Sequence, residues 1–480
     1  MKKYRLSNYL NIIKLTKNYL LFNGFNGCMD EISEELGEKL EELQKNKVKQ
    51  IKLINRYLEE EEKLYFVKRG YITVFSEKKE IKIFKKVIAF LDKQNIAEAR
   101  KKANIMFLLS YDCNLKCDYC YQKSLRQTPN LKKIQPEFIE EFYSSIMKKL
   151  FPDITPESIS ITLYGGEPLL DKNYDTIKKI LFHAGKNKQY IGTITNGTFS
   201  DKFLSLFGTK PGYISFAQIT LDGMAEYHDS SRIGAGGQKT FSKILKNIHK
   251  LIDKGIKINI RTNVTKDNLE QISELLRFLK EQDIFDHPNV YFYTHPVHNH
   301  FNQTNNENLF NSVTYYQYLK NNNIEKTIRN PVLRRAESLS YLLDFQQGIP
   351  FKKTRFCMQN LPNCYIIDPE YDIYGCYEEA GRKGTEIGKL KNQKIIFNSI
   401  FKKNQSRSLL KMNNCLSCPI ALVCGGECPV QNREINSSIF IPYCSDTKES
   451  IHLTLRVLYE SRKETYVKNP FDSEYVLPHL

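Results

Sequence analysis

From Asn104 to Thr294 six short apolar runs alternate with stretches of helical spacing, and this alternation constrains the fold most. The runs are Ile105–Leu109, Ile159–Tyr164, Ile191–Thr195, Ile214–Leu221, Ile256–Val264 and Val290–Thr294. Their length and β-branched content suit strands. Helical periodicity lies between them, at Pro136–Leu150, after Asp171, at Phe241–Lys254 and at Asn268–Glu281. Pro136 stands at a favoured first-turn position. Strand-to-helix units in series predict a parallel sheet, either doubly wound or curled into a barrel. In such a barrel the chemistry collects on loops that follow the strands.

The loop after the first run carries three cysteines, Cys113, Cys117 and Cys120, within eleven residues from Tyr111 to Tyr121. Three thiolates at these spacings can each hold one iron of a cubane, leaving the fourth iron open. Zinc is the competing reading of any cysteine-rich loop. It wants a fourth ligand nearby, and the nearest histidine is His183.

The next loop reads Tyr164-Gly165-Gly166-Glu167-Pro168-Leu169. Paired glycines let the backbone approach a ligand, and the carboxylate can pair with an ammonium group. An ordinary turn would use the same residues. The third run ends Thr195-Asn196-Gly197-Thr198, the fourth Thr220-Leu221-Asp222-Gly223, and the fifth includes Arg261-Thr262-Asn263. Short polar groups at strand ends suit ribose hydroxyls or substrate. His228, within His228-Asp229-Ser230-Ser231-Arg232, reads as a structural hydrogen-bonding group.

Eight more cysteines follow: Cys357, Cys364, Cys376, then Cys415, Cys418, Cys424, Cys428 and Cys444. Eight thiolates make two complete four-cysteine cubane sites. A zinc ribbon on a non-catalytic scaffold would also fit the Cys415–Cys418 spacing. Cys28 stands alone and reads as a small core residue.

Together these motifs resemble the radical S-adenosylmethionine (SAM) enzymes, and the later cysteines resemble their SPASM extension. The resemblance implies an α/β fold: a partial (β/α)6 radical SAM barrel, an N-terminal winged-helix-like α+β module and a Cys-rich SPASM domain. It implies a SAM-binding [4Fe-4S] cluster on Cys113, Cys117 and Cys120, with Gly165, Gly166, Glu167, Thr195, Asn196, Asp222 and Arg232 around SAM. Glu167 is then the partner of the SAM ammonium, and Arg232 that of its carboxylate. The family's interleaved pattern places one auxiliary [4Fe-4S] cluster on Cys357, Cys364, Cys376 and Cys428. The other falls on Cys415, Cys418, Cys424 and Cys444.

Two departures stand out. The SPASM pattern has glycine five residues before Cys376, where this chain has Tyr371, so the turn is expected to bend at Asp372 or Gly375 instead. Anaerobic sulfatase maturases, which share this architecture, carry Asp as base directly after the corresponding cysteine. Here Tyr377 follows, then Glu378 and Glu379. The resemblance therefore implies an oxidoreductase that cleaves SAM and modifies a ribosomally made peptide, by thioether or carbon–carbon cross-linking. Sulfatase-maturase-like oxidation of Ser or Cys and peptide epimerisation are the alternatives. No catalytic acid or base is assigned.

With 480 residues the chain has room for two to four domains. We read 1–98 as a peptide-recognition module, 99–300 as the barrel, 301–350 as a connecting helical segment and 351–480 as SPASM. In the first, Tyr19–Gly24 reads as a strand and turn, Met29–Leu43 and Ile51–Leu64 as helices, and Tyr71–Phe75 as a strand. Pro331–Phe345 reads as a helix in the connection. The module is expected to take a precursor's leader peptide as an added strand.

No long uncharged apolar run predicts a spanning helix, and Arg5, Lys14 and Lys17 interrupt any export signal after Met1-Lys2-Lys3. A cytoplasmic protein without membrane contact is the expectation. The formal charge of +17 is spread along the chain, which favours an acidic peptide over nucleic acid as partner. A low-potential electron donor such as flavodoxin or ferredoxin is also implied by the resemblance.

Overall fold

The computed structural model describes residues 3–46, 50–127, 132–297, 309, 311–322, 353–444 and 446–466. The helix expected over Pro331–Phe345 lies outside these residues. The chain divides into two compact units. One comprises the N-terminal part to Asn95, the stretch ending at Cys357 and the part from Arg407. The other holds the chain from Ile96 and the insertion Met358–Ser406.

In the first unit β1 (Arg5–Leu6) pairs antiparallel with β5 (Ile72–Thr73). An antiparallel meander consists of β2 (Leu10–Lys14), β3 (Tyr19–Asn23) and β4 (Met29–Ile32). The helix expected from Met29 is corrected in its first turn. Met29–Ile32 pair with β3, which satisfies backbone groups of that strand, and the helix starts at Glu34. Ser33 caps it by accepting from Leu36 N. The helix expected over Ile51–Leu64 is two helices, Gln50–Tyr57 and Glu60–Lys68. The Glu62 side chain turns back to accept from Glu59 N at 2.8 Å and marks the break. The strand expected at Tyr71–Phe75 shortens to β5.

A long helix, Glu77–Ala99, buries Phe84, Val87, Ile88 and Leu91 along one side. They share a core with Tyr9 and Phe22, and with Leu409, Met412, Leu422 and Leu455 from the C-terminal part. The first unit is thus closed by segments from both ends of the sequence.

The second unit is built on one sheet. Its parallel strands are β6 (Ala103–Leu108), β7 (Ile159–Tyr164), β8 (Ile191–Thr195), β9 (Ile214–Thr220), β10 (Lys257–Val264), β11 (Val290–Pro296) and β12 (Cys364–Ile367). An antiparallel extension follows: β13 (Asp372–Tyr374), β14 (Gly388–Lys391) and β15 (Lys394–Phe397). The order is β11-β10-β9-β8-β7-β6-β12-β13-β14-β15. All six expected strands form, within two residues of the predicted ends. The helix expected over Pro136–Leu150 forms with a π-helical turn, Phe142–Ile146, in its middle.

Successive residues of each strand face opposite ways. On β10, Ile258, Ile260 and Val264 join the apolar core that includes the flanking helices. Asn259, Arg261 and Asn263 are only partly buried and point to the other face. The same alternation gives β9 an inner row of Phe216, Gln218 and Thr220, and β11 an inner Tyr291 and Tyr293. The polar inner face leads up to the strand-end loops. Among the described residues no helix is long and apolar enough to cross a membrane.

The turn between β12 and β13 corrects one expectation. Neither Asp372 nor Gly375 takes the left-handed angle; Tyr371 does, with φ of 62°. Asp368 Oδ1 accepts from Glu370 N and Asp372 N at 2.9 and 3.0 Å, and Tyr371 N donates to Asp368 O. The ring of Tyr371 stacks on Phe138, with centroids 4.3 Å apart. That contact offsets part of the strain an L-residue meets at positive φ. Tyr371→Ala should therefore be less stable than Tyr371→Gly, by about 1 kcal/mol, because both lose the ring but only alanine keeps the strain. Urea midpoints of the two variants check this; the usual order, with alanine the more stable, would refute it.

Candidate active site

The ladder between β6 and β7 continues beyond the strands and positions the cysteine loop. Leu109 N donates to Tyr164 O, Gly166 N to Ser110 O, and Glu167 N to Asp112 O, at 2.8–2.9 Å. Both glycines are required by this approach. Gly165 has φ of 152°, and a Cβ there would lie 2.4 Å from Ser110 O. One on Gly166 would lie 2.2 Å from Asp112 O and 2.5 Å from Tyr111 O. The loop's other side is pinned by Lys116 N to Ile233 O and Ala235 N to Asn114 O. Asn114 also bonds the end of β8, donating to Thr198 Oγ1 and accepting from Asn196 Nδ2, both at 2.8 Å.

Cys117 is buried, and Cys113 and Cys120 are partly so. Arg126 is the cation of this loop. It donates to Cys120 Sγ at 2.9 Å and to Leu115 O at 2.9 Å, and all three thiols act on its charge. Burial pushes the Cys113 thiol up to about 12, and Arg126 pulls it back. Among the described residues no three Cys, His, Asp or Glu side chains close around a single ion. What the loop offers is three thiols, soft donors suited to iron–sulfur chemistry, sharing one guanidinium.

Glu167 is almost fully buried. Its Oε1 accepts from Leu169 N and Thr195 Oγ1, and its Oε2 from Asn196 N, at 2.7–2.8 Å. Burial raises its pKa, and these donors oppose the rise. The carboxylate thus ties the end of β7 to that of β8, leaving acceptor capacity on Oε2 for one more donor.

Asp222 follows β9 and is buried. Its Oδ1 accepts from Asn263 N at 2.8 Å, and its Oδ2 from the Tyr119 hydroxyl. Arg232 bonds the same hydroxyl and lies 3.4 Å from Asp222 Oδ2. Its Nε is buried without a hydrogen-bond partner. His228 Nδ1 accepts from Asp222 N at 3.3 Å, the structural hydrogen bond expected of it. Burial, with Arg232 nearby, lowers its pKa to about 2, so the imidazole is neutral.

Every residue expected around the triplet, Gly165, Gly166, Glu167, Thr195, Asn196, Asp222 and Arg232, therefore gathers at the C-terminal ends of β7–β9 beside the cysteine loop. Arg126 was not expected, since its place six residues beyond Cys120 follows no periodic pattern. Arg126→Gln should weaken iron retention at the triplet about 10- to 100-fold, the usual effect of losing an outer-shell partner. Iron kept against a chelator measures this, and retention equal to that of the unaltered chain would refute it.

The later cysteines are all unbridged. Cys415, Cys418, Cys424 and Cys444 lie in the first unit, as do Cys357 and Cys428; Cys364 and Cys376 lie in the second. In the first unit the fully buried Arg407 donates to Ile439 O at 2.6 Å and Glu427 O at 2.8 Å. Cys357, Cys428, Cys415 and Cys424 act on its charge. This cation too was missed in the sequence. Cys28 is a core thiol, raised to about 11 by burial.

Residues 107–279 match the model of the Radical SAM superfamily. The chain is 23% identical to the cysteine-type anaerobic sulfatase-maturating enzyme of Clostridium perfringens, over 77% of this chain and 95% of that protein. It is 22% identical to the radical SAM cyclopropyl synthase TigE of Paramaledivibacter caminithermalis, over 88% of this chain and 89% of that protein. Its fold is similar to Streptococcus suis SuiB bound to precursor peptide SuiA, with a TM-score of 0.52 and 16% identity. That likeness covers 92% of this chain and 99% of SuiB.

Proposed function

The chain is a radical SAM enzyme, and we propose that the substrate of its radical is a ribosomally made peptide, closed by a thioether or carbon–carbon bond. The observation that carries this reading is the double set of four cysteines after the barrel motifs. Such sets would hold two auxiliary clusters, and a cross-link formed with loss of two hydrogens needs an electron acceptor. Bound together, the triplet's cluster and SAM would supply a hydrogen-abstracting radical, and the auxiliary clusters a sink for the electron that remains.

The chain's own residues do the rest. Cys113, Cys117 and Cys120 ligate, while Arg126 offsets the negative charge of their thiolates. Glu167 keeps one lone-pair direction for the ammonium of SAM and holds Thr195 and Asn196 in place. Asp222 and Arg232 fix Tyr119 of the cysteine loop. β2 and β4 are the outer strands of the meander, and a leader peptide that adds by β-augmentation would pair with one of them. A precursor peptide is what SuiB binds. The formal charge of +17 suits an acidic leader and an acidic electron donor of the flavodoxin or ferredoxin kind.

A second reading, oxidation of a protein Ser or Cys to an aldehyde, is favoured by the similarity to the Clostridium perfringens enzyme. Tyr377 after Cys376 speaks against it, since no carboxylate stands at that position. The test is anaerobic reconstitution with iron, sulfide, reductant and SAM, using short peptides encoded beside the gene. The expected result is 5′-deoxyadenosine and a peptide two hydrogens lighter with a new internal link. A peptide aldehyde would favour the second reading, and unchanged mass with solvent deuterium would indicate epimerisation. No 5′-deoxyadenosine at full iron loading would overturn all of these.

A further inference from the structure

Arg261 stands on the inner face of β10, level with Tyr293 of β11 and Thr220 of β9. Its Nε is buried without a partner, and its guanidinium makes no hydrogen bond or ion pair among the described residues. Other guanidiniums of this region are occupied, Arg126 by Cys120, Arg232 by Asp222 and Tyr119, and Arg382 by Tyr121 O. A partly buried cation with a buried, unpartnered Nε and no anion among the described residues is under-compensated, which points to a charge that arrives from outside.

The surroundings narrow the nature of that charge. The groups that act on Arg261 are phenols: Tyr293, Tyr377, Tyr119 and Tyr164. The Tyr164 and Tyr121 hydroxyls bond each other, and the ring of Tyr377 lies 5.8 Å from Tyr164 and 6.3 Å from Tyr121. Tyr377 is still 39% exposed, so the aromatic wall is open to a ligand. Glu378 acts on Tyr164 and Tyr377 but forms no ion pair with Arg261. A cation flanked by neutral aromatic groups selects an anion attached to an organic chain, which a guanidinium grips through two parallel bonds.

We propose that Arg261 is the receptor for a carboxylate of the substrate peptide, that of an Asp or Glu near the residue to be modified. This rests on the peptide reading above. SAM carries a carboxylate as well, and the SAM-affinity arm of the experiment below separates that source from the peptide. Asn263 already reaches Tyr119 of the cysteine loop, and Arg261 sits two residues deeper on the same face, about 7 Å along the strand. The carboxylate bound there would therefore lie below the cysteine loop, with the aromatic wall around the peptide segment that carries it.

The experiment uses the reconstituted enzyme with SAM and a positional-scanning library of octapeptides, and reads the composition of the bound peptides. Asp or Glu should be enriched at least about tenfold at one position, a range expected of a close charge pair. Arg261→Gln should lose that preference, Arg261→Lys should keep part of it, and Arg261→Glu should turn it toward Lys and Arg. Iron content and circular dichroism identify any variant that has failed to fold, and Arg261→Lys tests the charge with the least disturbance. An unchanged acidic preference in Arg261→Gln overturns the proposal. So does a tenfold loss of SAM affinity with peptide preference intact, which would assign the site to SAM. Peptides bound without any acidic preference refute this inference alone, whereas no peptide binding at all refutes the peptide reading and this inference with it.

Discussion

Cys117→Ala, rebuilt anaerobically with iron and sulfide, is expected to form 5′-deoxyadenosine no faster than a blank without enzyme. Cys117 is the most buried thiol of its loop, 8% exposed, and Arg232 and Cys120 act on it. Removing it would leave two of the three thiols proposed to hold the cluster, and no other cysteine belongs to this loop. Losing an outer-shell partner typically costs 10–100-fold, so losing a ligand should exceed about 100-fold. Chromatographic assay of 5′-deoxyadenosine, with iron counted per chain, gives the answer. Undiminished cleavage by the variant would mean that the triplet is not the SAM-cleaving site. Iron at the later cysteines should survive, which separates lost ligation from general unfolding.

Gly166→Ala should come next in severity although it removes no ligand. The added Cβ would meet two backbone oxygens, Asp112 O and Tyr111 O, at 2.2 and 2.5 Å. Neither can swing away as a side chain could. Relief requires the cysteine loop to shift, which would break the bond from Glu167 N to Asp112 O. A displacement of about 1 Å at a reacting centre can cost on the order of 100-fold in rate. Overpacking of this kind costs about 1–3 kcal/mol in stability. The variant should therefore fold, bind iron and cleave SAM about 100-fold more slowly. Wild-type rates at full iron loading would show that the two loops are not held by this approach.

The parallel sheet was legible because each strand is an apolar run bounded by polar residues, and tertiary packing reinforces that signal. The N-terminal meander was less so. Met29, Ile32 and Leu36 have helical spacing, yet pairing with β3 claims the first two. Ser33 was the available marker of the true start. The site was legible where the chemistry needs a fixed spacing, as in Cys113, Cys117 and Cys120. It was opaque where the chemistry needs only a charge in place. Arg126 bonds Cys120, and Arg407 comes under the charge of later thiols, only through folded geometry, and no periodicity marks either residue. Tyr371 was hidden for another reason, since an aromatic residue at positive φ depends on a stacking partner, Phe138, more than 200 residues earlier.

The two-sided strands have an evolutionary consequence. Ile258, Ile260 and Val264 carry the packing of β10, while Asn259, Arg261 and Asn263 on its other face contribute little to it. The same division holds on β9, where Phe216, Gln218 and Thr220 are partly buried and Ala217 and Ile219 are buried. Substitutions on the inner rows can alter what the enzyme accepts without first crossing a stability threshold. A lineage built on this sheet can therefore change its substrate one inner residue at a time, with the cysteine loop left untouched.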